Sequence, residues 1–222
     1  MSKIGTADIK GIMLGSTEIS KAYLGSDVVY QKSNPLPYDA EVEYLQSSGT
    51  QYIDTAIIPT DHQTICRFAF TAKTGYVCGA FNANNCRYYP CTSSGNYLYL
   101  LNPDNSRVYR STYNTSIHNL DFNGESHNCY WDGTNVGKTT AMPSPSQMTS
   151  PIYLFGISAS GALSNPAKVK IYSCKIYARG GSMVRDYIPV RVGQVGYMYD
   201  RVYGQLYGNQ GTGSFILGAD KN

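Results

Sequence analysis

Glu41 and Glu43 stand two residues apart in the stretch Ala40-Glu41-Val42-Glu43-Tyr44. On an extended strand this spacing puts both carboxylates on one face, about 6.5 Å apart. That lies within the ~5–9.5 Å separation at which two carboxylates cleave a glycosidic bond. The other glutamates are Glu18 and Glu125. A plainer account fits the same letters: Ala40, Val42 and Tyr44 alternate with the two acids, as on a strand with one buried and one wetted face. We prefer the plainer account, expect no enzyme, and assign no catalytic residue.

His62, His118 and His127 lack the paired spacing of metal ligands. A Ser-His-Asp set could be drawn from the many serines, but no Gly-x-Ser-x-Gly nucleophile motif supports it. Asn82, Asn84, Asp104 and Asn105 offer the loop oxygens that calcium takes. We assign neither a metal nor any other cofactor. Cysteines at 66, 78, 86, 91, 129 and 174 include no C-x-x-C pair. They read as free, buried thiols acting as small hydrophobes.

Sugar recognition needs aromatic faces for C–H stacking, with amides and hydroxyls beside them. The segment from Phe81 to Tyr113 is rich in both. Its candidate carbohydrate-binding residues are Asn84, Asn85, Arg87, Tyr88, Tyr89, Asn105 and Tyr109. Tyr97, Tyr99, Arg107 and Tyr113 lie in the same stretch, and Trp131, next to a turn, is a further candidate. Tyr97, Tyr99 and Trp131 also read as strand residues packing a core.

The elements that must position these groups are strands. Charged residues make up 15% of the 222, and there are 22 Gly and 21 Tyr. Few charges with many Tyr, Gly, Ser, Thr and Asn make an all-β composition. Cys66, Phe68 and Phe70 alternate with Arg67 and Ala69. Tyr97–Leu101 is another strand. Cys129-Tyr130-Trp131 meets Asp132-Gly133, a two-residue hairpin turn. Ile152–Ile157 reads as one strand in mid-core. Along 168–177 the phase slips: Val169 and Ile171 share one face, Cys174 and Ile176 the other. A bulge near Ser173 would bring all four to one side. About ten or more strands result, as in two packed sheets.

Net charge is +3, and the 18 Lys and Arg form no run, which speaks against nucleic acid. MSKIGTADIKG has no apolar core of secretory length, and no run approaches ~18 apolar residues. The expectation is synthesis in the cytoplasm without a signal peptide and without membrane insertion. Leu14-Gly15-Ser16 returns as Leu24-Gly25-Ser26, turns in a small β-meander too short to bury a core of its own. Residues 1–32 therefore read as an attachment or oligomerisation segment, 33–37 as a stiff Pro linker, and 38–222 as the main domain.

Three blocks then stand in order: Tyr44-Leu45-Gln46-Ser47-Ser48-Gly49-Thr50-Gln51-Tyr52-Ile53-Asp54-Thr55, Lys170–Tyr177, and Val184-Arg185-Asp186-Tyr187-Ile188-Pro189-Val190 with Gly211-Thr212-Gly213-Ser214-Phe215. Over roughly residues 38 to 219 the chain resembles the concanavalin A-like lectin/glucanase (laminin-G-like) domains of bacteriophage virion and gut-bacterial surface proteins. The Gly-Ser repeat is similar to N-terminal pieces of phage virion proteins. The resemblance implies a jelly-roll β-sandwich displayed at a virion surface, in a head or tail fibre or decoration protein. Its partners would be other virion proteins through residues 1–32, further copies of itself, with a homotrimer favoured, and host-surface glycan. Hydrolases of this fold carry a Glu-x-Asp-x-x-Glu strand, absent here. In such domains the block at 44–55 enters the sandwich, so its hydroxyls and amides are expected to satisfy backbone groups at a turn rather than to grip a ligand.

Overall fold

The computed structural model describes every residue except 1–2, 5–6, 9–11, 15–16, 20, 25, 32–35, 83–86, 102–105, 140–146 and 222. The chain divides into two compact units, Met1–Leu36 and Pro37–Asn222. The division falls within Pro35-Leu36-Pro37, where two rings limit the backbone.

The first unit contains β1 (Lys3–Ile4), β2 (Ala7–Asp8), β3 (Ile12–Leu14), β4 (Thr17–Ile19), β5 (Lys21–Leu24) and β6 (Asp27–Gln31). They pair as three antiparallel hairpins, each a separate two-stranded sheet among the described residues, not one meander. Ile4 pairs with Ala7, Leu14 with Thr17 and Leu24 with Asp27. The repeat thus has three copies at a ten-residue period. Ile4-Gly5-Thr6 is the copy the sequence reading missed, because Ile and Thr replace Leu and Ser.

The second unit runs through β7 (Ala40–Glu41), β8 (Leu45–Gln46), β9 (Ile53–Asp54), β10 (Gln63–Phe70), β11 (Tyr76–Phe81), β12 (Arg87–Ser94), β13 (Tyr97–Leu101) and β14 (Arg107–Thr112). Next come β15 (His118–Asn123), β16 (Asn128–Trp131), β17 (Thr134–Lys138), β18 (Tyr153–Leu154), β19 (Ile157–Ala159) and β20 (Ala162–Ser164). The unit ends with β21 (Val169–Tyr177), β22 (Met183–Val192), β23 (Val195–Asp200), β24 (Gln205–Tyr207) and β25 (Ile216–Leu217). There is no helix among the described residues.

The larger sheet has the order β17-β16-β15-β10-β21-β22-β23-β24, with β7 on β22 and β8 on β21 and β25. The smaller runs β14-β13-β12-β11-β18-β9, with β19 on β11 and β20 on β19. The pairings within both sheets are antiparallel apart from β11 with β19. Cys66, Phe68, Ile171 and Cys174 of the larger sheet join Cys78, Tyr88, Leu98 and Leu100 of the smaller in one buried cluster. The body is all-β, two sheets sharing one core, consistent with a sandwich. Each fully buried Phe or Leu there contributes about 1.5–3 kcal/mol.

The phase slip in β21 has a definite cause. Arg67 pairs with Ser173 and the next residue, Phe68, with Ile171. Tyr172 is the extra residue of a bulge. Val169, Ile171, Cys174 and Ile176 are consequently all buried at 0%. The apolar run at 152–157 differs from expectation. It is buried, but Phe155 takes φ 69 and splits the strand into β18, antiparallel to β11, and β19, parallel to it. Gly156 follows because a Cβ there would meet Leu163 Cδ1 at 2.7 Å.

The block at 44–55 is a connector. Gln51 is buried, and its Oε1 accepts from Ser48 N at 2.8 Å and from the Ser47 and Ser48 hydroxyls at 3.1 Å. Its Nε2 donates to the Thr212 carbonyl at 2.9 Å, and Tyr52 N donates to Asn209 Oδ1 at 3.1 Å. Opening and closing segments are stitched together, and the uncharged polar groups are consumed in doing so.

Candidate functional site

On β13 the side chains alternate. Leu98 and Leu100 enter the main core, while Tyr97 and Tyr99 turn to the opposite face of the smaller sheet. Tyr99 packs there in a small separate cluster with Ile157, Tyr76 and Phe81. The register sets Tyr99 opposite Arg110 on β14, and Leu101 opposite Arg107 across a bulge. Each arginine then reaches diagonally along the hairpin. Arg107 lies over the Tyr99 ring at 4.4 Å and Arg110 over the Tyr97 ring at 4.5 Å. The two tyrosine centroids are 6.0 Å apart. Two Arg–Tyr stacks therefore stand side by side as steps along one sheet edge. Such contacts contribute roughly 0.5–1 kcal/mol each at exposed sites.

Beside them opens a polar cleft of about 330 Å³, lined by Thr74, Tyr76, Thr92, Tyr99, Arg107 and Asn165 among others. Gly75 permits it. Its φ is +86 and a Cβ would meet the Pro166 carbonyl oxygen at 2.3 Å, so the chain passes Pro166 more closely than any side chain allows. Thr92 Oγ1 donates to the Gly75 carbonyl at 2.9 Å, tying β12 to that turn.

The residues expected from sequence are dispersed. Arg87 lies over the Phe81 ring at 5.7 Å, half-buried. Tyr88 must be corrected: it is 0% exposed, its hydroxyl is 2.7 Å from Thr64 Oγ1, and it has no face for a sugar. Burial also pushes its pKa well up. Trp131 must be corrected too. It is 6% exposed and packs on His118 at 4.6 Å and Phe68 at 5.9 Å. Tyr109, opposite Leu100, packs on Trp131 at 5.9 Å. Asn84, Asn85 and Asn105 lie outside the described residues, as does the side chain of Tyr89. Of the loop oxygens considered for calcium, Asn82 is buried and its Nδ2 donates to the Gln147 carbonyl; the others are not described. No cluster of three or more His, Cys, Asp or Glu could hold a metal among the described residues.

Arg110, Thr74, Tyr76, Thr92 and Asn165 are among the members that sequence reading missed. The β13–β14 register reveals Arg110; Tyr76 and Asn165 come together where Tyr76 pairs with Pro166 and its N–H donates to the Asn165 carbonyl at 3.1 Å.

Several other titratable groups are held by contacts within the body. His118 sits between Asp132 Oδ2 at 2.8 Å and Asn114 Oδ1 at 3.0 Å. Asp132 also accepts from Asn119 N at 2.7 Å, and with φ 50 it forms the expected Asp-Gly turn with Gly133. Glu41 accepts from the Tyr38 hydroxyl and lies 3.7 Å from Lys221. Glu43 borders a second cleft of about 540 Å³ with Arg67, Tyr172 and Lys221, on the larger sheet. Cys66, Cys78, Cys91, Cys129 and Cys174 are free and buried.

No model of a known protein family matches the chain, and no curated protein does.

Proposed function

We propose that this is a non-enzymatic virion surface protein, a head or tail fibre or decoration protein. Its body, a concanavalin A-like jelly roll, binds host-surface carbohydrate on the face carrying Tyr97, Tyr99, Arg107 and Arg110. The observation that carries the binding reading is the pair of Arg-stacked tyrosines beside a polar cleft. Rings, guanidinium N–H groups, threonine hydroxyls and an asparagine amide together are the groups that sugars use. The order of the three sequence blocks supports the jelly roll.

Residues 1–32 dock the protein on other virion proteins and on further copies of itself, as a homotrimer. Hairpins of two strands are marginal alone, and Tyr23 and Leu24 are 58% and 75% exposed. Repetition of the body offsets weak single-site affinity. A glycan array probed with the full-length oligomer tests the binding half. Retention of a defined glycan class supports it, and an empty array overturns it. A purely structural decoration role is the second reading, favoured by the exposed Tyr23 and Leu24. Incorporation of a chain lacking residues 1–32 into particles would overturn the docking assignment.

A further inference from the structure

Neutral sugars stack their C–H faces on open aromatic rings. On this face the rings are not open in that way. Arg107 covers one side of Tyr99 and Arg110 one side of Tyr97. Solvent meets the two guanidinium groups that lie over these rings. A stacked guanidinium keeps its in-plane donors, and these match the two oxygens of a carboxylate or sulfate. Both arginines are exposed. Neither takes part in an ion pair or a side-chain hydrogen bond among the described residues. Arg185, Arg191 and Arg201 differ: they are engaged with Asp200, Asp220 and Asp186. No described residue lining the cleft beside Arg107 is acidic. Arg87, over Phe81, adds a third cation–ring stack to the same face.

We infer that the ligand of this face is an anionic saccharide, bound through its carboxylate or sulfate groups by Arg107 and Arg110, with Thr92, Tyr76 and Asn165 receiving its hydroxyls. The inference rests on the carbohydrate-binding reading and narrows it to one chemical class. Two stacks side by side suit successive charged residues of a chain better than a single acidic terminus.

The test is an array of neutral, carboxylated and sulfated glycans probed with the full chain, its Arg107→Gln/Arg110→Gln variant, and Arg107→Lys/Arg110→Lys. Arg179→Gln, at a 75% exposed side chain, controls for the loss of a positive charge elsewhere on the surface. Binding should be confined to acidic members, fall at least tenfold in the Gln pair, fall less in the Lys pair, and hold in the control. Thermal unfolding of each variant separates binding loss from unfolding. The carboxylated and sulfated arms identify which anion is preferred. Equal retention of neutral glycans, or indifference to the Gln pair, overturns this inference while leaving sugar binding standing. An array empty of both kinds overturns the two together. Equally tight binding of a thymidine oligonucleotide, lost in the Gln pair, marks a general polyanion surface and overturns the saccharide assignment.

Discussion

Arg185 on β22 donates two hydrogen bonds to the backbone carbonyl oxygen of Thr55, 130 residues earlier, at 3.2 and 3.0 Å. The same guanidinium donates to the Tyr187 hydroxyl and to the Val184 carbonyl, and lies 3.7 Å from Asp200. Tyr203 and Tyr207 flank it at 5.0 and 5.6 Å. Two of the blocks that set this sequence apart thus meet around one buried arginine, well inside the scaffold. Their joint role is to close the body.

Arg185→Met should therefore unfold the protein more readily without altering any glycan contact. It leaves the Thr55 carbonyl unpaired and the fully buried Asp200 without its cation. Breaking a buried pair costs about 3–5 kcal/mol. Urea denaturation should show that loss as a lower midpoint with an unchanged slope. A double-mutant cycle with Asp200→Asn should give a coupling of about 1 kcal/mol or more.

Tyr88→Phe should be a stability variant only. It removes the hydroxyl bonded to Thr64 and leaves Thr64 buried without that partner. A cost of about 1–3 kcal/mol follows, with glycan retention unchanged. A selective loss of binding at full stability would return Tyr88 to the ligand.

The misplacement of Tyr88 has an instructive cause. Period-two alternation on β12 assigns alternate faces, but not which face is the core. Register shifts on β11, between Tyr76 and Cys78 and between Cys78 and Ala80, then change the phase across the pairing. In β21 the bulge was legible because four aliphatic or thiol side chains demanded one side. In β12 a tyrosine suits either side, and nothing in the letters decides. Likewise Trp131 stood next to a correctly read Asp-Gly turn, yet the turn fixes the register of β16 and β17 and not the burial of the ring. The Arg–Tyr steps depend on which residues of β13 and β14 lie opposite each other. The bulge between Leu100 and Leu101 hides that from spacing alone.

Ser93→Ala should stabilise the body. Ser93 is 2% exposed and its hydroxyl has no hydrogen-bond partner among the described residues. Its backbone N–H already donates to the Gly75 carbonyl at 3.0 Å and would still do so. Removing a buried, unpaired hydroxyl relieves about 1 kcal/mol of desolvation cost. Calorimetry should register a rise in Tm of a few degrees. A fall would mean that an ordered water satisfies the group.

The protein should lose stability in alkali and hide its thiols below it. Burial, with the charge of Asp121 adding to it, pushes Cys129 from 9.0 up to about 12. Burial likewise raises Cys91. Cys66 is raised first by its hydrogen bond to Cys174 and then by burial. Each folded-state value lies above that of the unfolded chain. The stability they confer is complete below about pH 9 and is lost as pH climbs toward 12. The slope is about 1.4 kcal/mol per pH unit per thiol that stays protonated only when folded. Urea midpoints should be level near pH 8 and fall from pH 9. A disulfide reagent at pH 8 should label no more than one of the six cysteines until denaturant is added, since five are buried. Fast labelling of two or more in the native protein would contradict this core.

Tyr97 and Trp131 should separate binding from folding. Tyr97 is 36% exposed and Trp131 6%, although the sequence marks both as aromatic residues on strands. Tyr97→Ala removes a ring that supports Arg110 and contributes little to the core, so unfolding should change by no more than about 1 kcal/mol. Glycan retention should drop at least tenfold, because Arg110 loses the surface that holds its plane in place. Trp131→Ala opens a cavity among Phe68, His118 and Tyr109 and should cost about 3–5 kcal/mol. In whatever fraction stays folded, the Arg–Tyr steps are intact and glycan should still be retained. If Tyr97→Ala bound normally while Trp131→Ala lost binding at full stability, the ligand would belong on the opposite side of the body.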